Sequence, residues 1–166
     1  CISGMSGSGK TNFAFHIIKN FIEKNKPFII LDWKKSFRPL MLEDDKIDCF
    51  TIGNNKVANL FRININKPPE GVDPKEWINL LCDLITECFF ASFGVHKILL
   101  ETLDNTFRDF KVYQGSGNYP TWHQIRDRLE ERAEELRNKG RESEWITSAL
   151  RIAHALTFGA FGECIN

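Results

Sequence analysis

The chain has 166 residues, 42% hydrophobic and 27% charged with fourteen Phe, which suits one folded globular domain and excludes a disordered or low-complexity class. Lys plus Arg equals Asp plus Glu at 22 each, so no whole-chain field steers it toward phosphate backbones or anionic lipid, and any nucleic-acid contact must be local. Every candidate apolar run is broken by Lys, Asn, Asp or Glu before the roughly eighteen residues a spanning helix needs, so no transmembrane segment is expected.

Only Cys1, Ile2 and Ser3 precede the first glycine of a glycine-rich loop, too few for a buried first strand, and no initiator Met is present. The expectation is a fragment of a larger protein. Gly4-Met5-Ser6-Gly7-Ser8-Gly9-Lys10-Thr11 matches G-x-x-x-x-G-K-[ST] at every fixed position. Glycines let the backbone turn its amides inward, so Gly4, Ser6, Gly7, Ser8, Gly9, Lys10, Thr11 and Asn12 are the candidate residues for a phosphate nest. Lys10 is placed to reach the β- and γ-phosphates and Thr11 to ligate magnesium, which makes ATP and Mg²⁺ the expected ligands. Chance coincidence of the fixed positions falls well under about one chain in a hundred of this length.

Phe13, Ile17, Ile18, Phe21 and Ile22 recur at helical spacing, and the unbroken Phe28-Ile29-Ile30-Leu31 run then reads as a buried parallel strand. Asp32 follows at the strand's C-terminal end, where open α/β sheets bind ligands; a catalytic role and a turn cap in Asp32-Trp33-Lys34-Lys35 both fit it. Ile47 to Ile52 and the Leu60, Ile63, Ile65 region are two more strand candidates, separated by the turn-like Gly53-Asn54-Asn55.

From residue 71 the pattern turns helical. Asp73-Pro74-Lys75-Glu76 is a helix start, and its apolar stripe from Trp77 to Phe89 is expected to run until Gly94. Ile98, Leu99, Leu103, Phe107 and Phe110 form a second stripe. Tyr113 to Tyr119 is a loop, and Thr121 with Gln124 three residues on begins a charged helix that Gly140 stops. A last helix is expected from Glu142 to Phe158, ending in Gly159 and Gly162.

The mixed-sign run from Arg126 to Glu144 reads as a solvated face laced with i,i+4 pairs. His16, His96, His123 and His154 lie too far apart to favour a metal site or catalytic base. Trp33, Trp77, Trp122 and Trp145 read as core or helix-anchoring aromatics rather than base-stacking platforms. The five cysteines, odd in number and without a CxxC pair, read as reduced thiols of an intracellular, cytoplasmic protein.

Three segments together resemble the HerA/FtsK-like ATPases, a group that includes the conjugation and type IV secretion ATPases. They are Ile2 to Thr11, Ile29-Ile30-Leu31-Asp32-Trp33-Lys34 with Phe37-Arg38, and Asn59-Leu60-Phe61-Arg62-Ile63-Asn64 before Pro68. The resemblance implies an α/β fold: a RecA-like P-loop core with a mostly parallel sheet over residues 1–70, and a helical insertion of the same domain over 71–166. It also implies a ring hexamer and ATP-driven movement of DNA or of secretion substrate, with double-stranded DNA the expected partner of the full-length parent. In that group the loop lysine and hydroxyl contact nucleotide and metal, which carries over to Lys10 and Thr11, and the acidic residue after the second strand corresponds to Asp32. One departure stands out: the family's second apolar strand ending in Asp or Glu is not found, since Leu99-Leu100-Glu101 sits in a helical pattern. That strand, and any arginine finger, are expected past Asn166. The reading is the ATP-binding portion of a DNA translocase or helicase; a conjugation or secretion ATPase, and a P-loop kinase or simple nucleotide-binding module, stay open as alternatives.

Overall fold

A computed structural model describes residues 1–53, 58–141 and 143–165. The chain divides into two compact units, Cys1–Phe50 and Thr51–Asn166.

The first unit holds helix α1 (Lys10–Glu23), an extended segment over 28–32 and a short 3₁₀ helix (Arg38–Leu42). Leu40 is its one buried hydrophobic residue among those described. The ring of Phe15 on α1 meets that of Phe37 at 5.0 Å between centroids, and Lys19 pairs with Glu43 at 3.1 Å, so the segment after the extended run folds back on α1. Along the extended segment exposure alternates: Ile29 and Leu31 are exposed at 91% and 94%, whereas Phe28, Ile30 and Asp32 are half-buried.

The expected mostly parallel RecA-like sheet is not formed among the described residues, and the chain is mostly helical instead. The only strands described are β1 (Phe50–Thr51) and β2 (Asn59–Leu60), which pair, with the Phe61 amide donating to the Thr51 carbonyl at 2.9 Å. Phe28–Leu31 is extended but has no strand beside it among the described residues. An apolar run signals burial, yet a parallel strand also needs neighbours at both edges and cover on both faces, and those partners are nonlocal. The Ile47–Ile52 and Leu60–Ile65 candidates shrink to two residues each for the same reason. Asn54 and Asn55 of the expected turn, and Glu142 at the expected start of the last helix, lie outside the described residues.

The second unit is built from α2 (Pro74–Cys88), α3 (Phe93–Asp109), α4 (Trp122–Asn138), α5 (Glu144–Thr157) and the short α6 (Gly159–Cys164). Its core gathers Leu99, Leu103 and Phe107 of α3, Trp122, Ile125 and Leu129 of α4, and Ala149 and Ala153 of α5, all fully buried. Helix α3 packs on α2, α4 and α5. The helix starts follow the sequence signals. The Asp73 carboxylate accepts from the Lys75 amide at 2.8 Å and Glu76 at 3.3 Å, and Thr121 and Gln124 close a reciprocal capping box. Trp77 anchors α2 by donating its indole N–H to the Ile65 carbonyl at 2.9 Å.

One boundary differs. Helix α2 ends at Cys88, and Gly94 lies in the first turn of α3 instead of terminating α2. The Trp145 indole occupies the space a Cβ at Gly94 would fill, so glycine here serves a close helix approach. The charged face of α4 makes the pairs Arg126–Asp127 and, at i,i+4, Arg126–Glu130 within the helix, and it is tied to α3 by Arg128 to Asp109 at 2.6 Å and Arg132 to Glu101 at 2.8 Å. Glu101 therefore sits on a helix, inside an ion-pair network.

Candidate nucleotide-binding site

The glycine-rich loop lies wholly in the first unit and turns directly into α1. Gly7 and Gly9 take left-handed backbone conformations, with φ of 80° and 82°, which an L side chain would strain. The loop is closed by the Ser8 amide donating to the Met5 carbonyl at 3.3 Å, and α1 begins with the Phe13 amide donating to the Gly9 carbonyl at 2.9 Å.

The start of α1 has no side-chain cap and no acidic residue in its first turn. A helix of 14 residues concentrates positive dipole at this end, and the first-turn amides of Lys10, Thr11 and Asn12 have no partner four residues back. This differs from α2, where Asp73 fills the same position. Thr11 and Asn12 are exposed.

Lys10 folds back over the loop. Its Nζ donates to the Gly4 carbonyl at 2.7 Å, the Met5 carbonyl at 2.5 Å and the Ser8 hydroxyl at 3.4 Å. Its charge is thus fixed at the rim of a cleft of about 380 Å³ lined by Ile2, Ser3, Gly4, Ser8, Gly9, Lys10 and Phe13. Among the described residues, no carboxylate lines that cleft. Of the residues expected from the sequence, Gly4, Ser8, Gly9 and Lys10 converge on the cleft, Gly7 shapes the turn, and Ser6, Thr11 and Asn12 flank it. The donor set of backbone amides, hydroxyls and one ammonium, with no competing anion, fits a polyphosphate.

Asp32 does not line the cleft. Its two carboxylate oxygens accept from the Ser36 amide at 3.0 Å and the Phe37 amide at 2.8 Å, so it caps a turn. Lys35 in that turn adopts a left-handed conformation with φ of 61°. The tryptophans split. Trp122 is fully buried and Trp77 anchors α2, but Trp145 is 56% exposed and Trp33 is 96% exposed, so the expectation of a core role for Trp33 is corrected. Nothing in the sequence spacing distinguished Trp33 from the others.

The histidines stay apart: His96 meets Asp83 at 2.8 Å and His154 meets Glu130 at 3.4 Å. Among the described residues no cluster of three metal-ligating side chains forms. All five cysteines are free. Burial, aided by the neighbouring Asp83 charge, pushes the Cys82 thiol up to about 12. No described helix is long and apolar enough to cross a membrane.

No curated protein and no solved structure matches the chain. A family model described as the central domain of helicase HerA matches residues 1–151, a span that includes the loop, α1, the Asp32 turn and helices α2 to α4. The chain therefore belongs to the HerA helicase central-domain family, a group of ATPase and translocase type.

Proposed function

We propose that the chain binds ATP with magnesium at Gly4 to Asn12 and is the nucleotide-binding part of an ATP-driven DNA translocase or helicase. The observation that carries this reading is the uncapped, carboxylate-free N-terminus of α1 opening beside Lys10 on the loop cleft. The amides of Gly7 and of Gly9 to Asn12 donate to phosphate oxygens, while the ammonium of Lys10, already held against the loop carbonyls, is positioned to neutralise them. The Thr11 hydroxyl, in the first turn of α1, is the candidate magnesium ligand. Magnesium, if held there, would supply positive charge that offsets the charge of the triphosphate.

These residues bind and orient; none of those lining the cleft can polarise a water molecule, and both oxygens of Asp32 are engaged by backbone amides. Hydrolysis in this reading requires a further acidic group, so the chain alone is expected to turn over little ATP. Family membership supports double-stranded DNA as the substrate and a ring hexamer as the working form, and DNA-stimulated turnover in the assembled enzyme would distinguish this from a kinase.

Calorimetric titration with magnesium-ATP tests the site. Lys10→Ala removes a charge-assisted contact and is expected to weaken binding roughly 100-fold. Unchanged affinity would refute the assignment.

A further inference from the structure

We propose that the outer face of α2 docks a cationic amphipathic helix of a partner protein. The apolar stripe of α2 is wider than the face its own bundle covers. Ile78, Leu81, Cys82 and Ile85 are buried in the core of the second unit, and α3 packs on α2. Leu80 and Leu84, one turn apart and beside that buried face, stay 59% and 57% exposed, and Cys88, one turn further on, is exposed as well. Residues at i, i+4 and i+8 stack along one side of a helix, so these three form a continuous strip about 12 Å long. The Asp73 cap at one end and the packed opposite face hold the strip on a fixed scaffold.

Charge decides what the strip takes. Glu76, Asp83 and Glu87 stand at i, i+7 and i+11, which sets them in a row along the solvent side of Leu80 and Leu84. All three are exposed, and neither Glu76 nor Glu87 forms an ion pair among the described residues. Asp83 meets His96 of α3 at 2.8 Å, yet its side chain is 71% exposed. Neighbouring cations are held elsewhere: the Lys75 ammonium lies over the Tyr113 ring at 5.4 Å, and Lys97 pairs with Glu101 at 3.8 Å. An apolar strip bordered by carboxylates fits a helix with Leu-like residues at i, i+4 spacing and Lys or Arg along one border. The same carboxylates disfavour other occupants. A second α2 packed antiparallel about a two-fold axis would bring Glu76 near Glu87 of its mate, like charge against like, and anionic lipid meets the same repulsion.

The test is an anisotropy titration of the chain with a fluorescein-labelled peptide of Leu, Ala and Lys, about 18 residues long, whose leucines share one helical face. It is expected to bind at least about tenfold more tightly than a scrambled peptide of the same composition. Leu80→Ser combined with Leu84→Ser should weaken binding about tenfold. Glu76→Gln combined with Glu87→Gln should weaken it about fivefold at about 50 mM salt and little at about 500 mM, where such charges are screened. A second readout needs no variant: saturating peptide should slow labelling of Cys88 by a disulfide reagent about tenfold while Cys1 reacts as before. The docking face is overturned if the peptide does not bind, if the scrambled peptide binds equally, if the leucine variant binds as the unmodified chain does, or if Cys88 stays open at saturation. It is equally overturned if the leucine variant abolishes self-association of the chain, which would make the strip an interface between copies, or releases the chain from phosphatidylcholine vesicles, which would make it lipid-facing.

Discussion

Asp32 shows how one side chain can satisfy two descriptions until its hydrogen bonds are known. Its position after an apolar run fits an active-site acid, and its short polar side chain in a turn fits a cap. With both oxygens receiving backbone amides at 3.0 and 2.8 Å, the cap is what the fold uses. Asp32→Ala leaves those amides without their acceptor and is expected to cost about 1 to 2 kcal/mol, lowering the thermal midpoint of the first unit. Asp32→Asn keeps one acceptor oxygen and should recover part of the loss. If instead both variants melt as the unmodified chain does, the turn does not depend on this carboxylate. Lys10 and the loop glycines were legible in advance because their chemistry is local: a fixed spacing of four positions dictates backbone shape and charge together. Trp33 was not, because exposure depends on what the rest of the fold leaves uncovered, and a lone Trp carries no periodicity.

Helices were read more faithfully than strands, for a physical reason. A helix satisfies its own backbone within four residues, so the Asp73-Pro74 start and the Thr121 and Gln124 box could be recognised from neighbouring residues alone. A strand is completed only by another segment. Phe28–Leu31 kept its extended form without acquiring partners, and β1 and β2 kept two residues each. Gly94 was misassigned as a helix end because glycine signals both termination and close approach, and only the Trp145 indole above it decides between them. The cap at α2 yields a measurable consequence. Asp73→Ala is expected to destabilise the second unit by about 1 kcal/mol, read as a lower urea midpoint at unchanged slope, while Asp73→Asn should change it by only a few tenths. A slope change would mean that the variant perturbs more than the cap.

The two units differ in what holds them. The first has Leu40 as its buried hydrophobic residue, whereas the second closes around fully buried Leu99, Leu103, Phe107, Trp122, Ile125 and Leu129. Buried apolar area is the main source of stability, so the helical unit should be the last to open. The free cysteines report on this directly. Cys1 and Cys88 are exposed, Cys49 of the first unit is half-buried, and Cys82 and Cys164 lie in the core of the second. For Cys82 burial acts twice, by excluding the reagent and by holding the thiol protonated, with its pKa pushed up to about 12. Thiolate is the reactive form, so at mildly alkaline pH the folded chain should expose Cys1 and Cys88 to an aromatic disulfide reagent at once. Cys49 should follow, while Cys82 and Cys164 react on the order of a hundredfold more slowly, as an opening cost of about 3 kcal/mol requires. Mass-resolved labelling that finds Cys82 reacting as fast as Cys88 would mean that the helical core is not closed in solution.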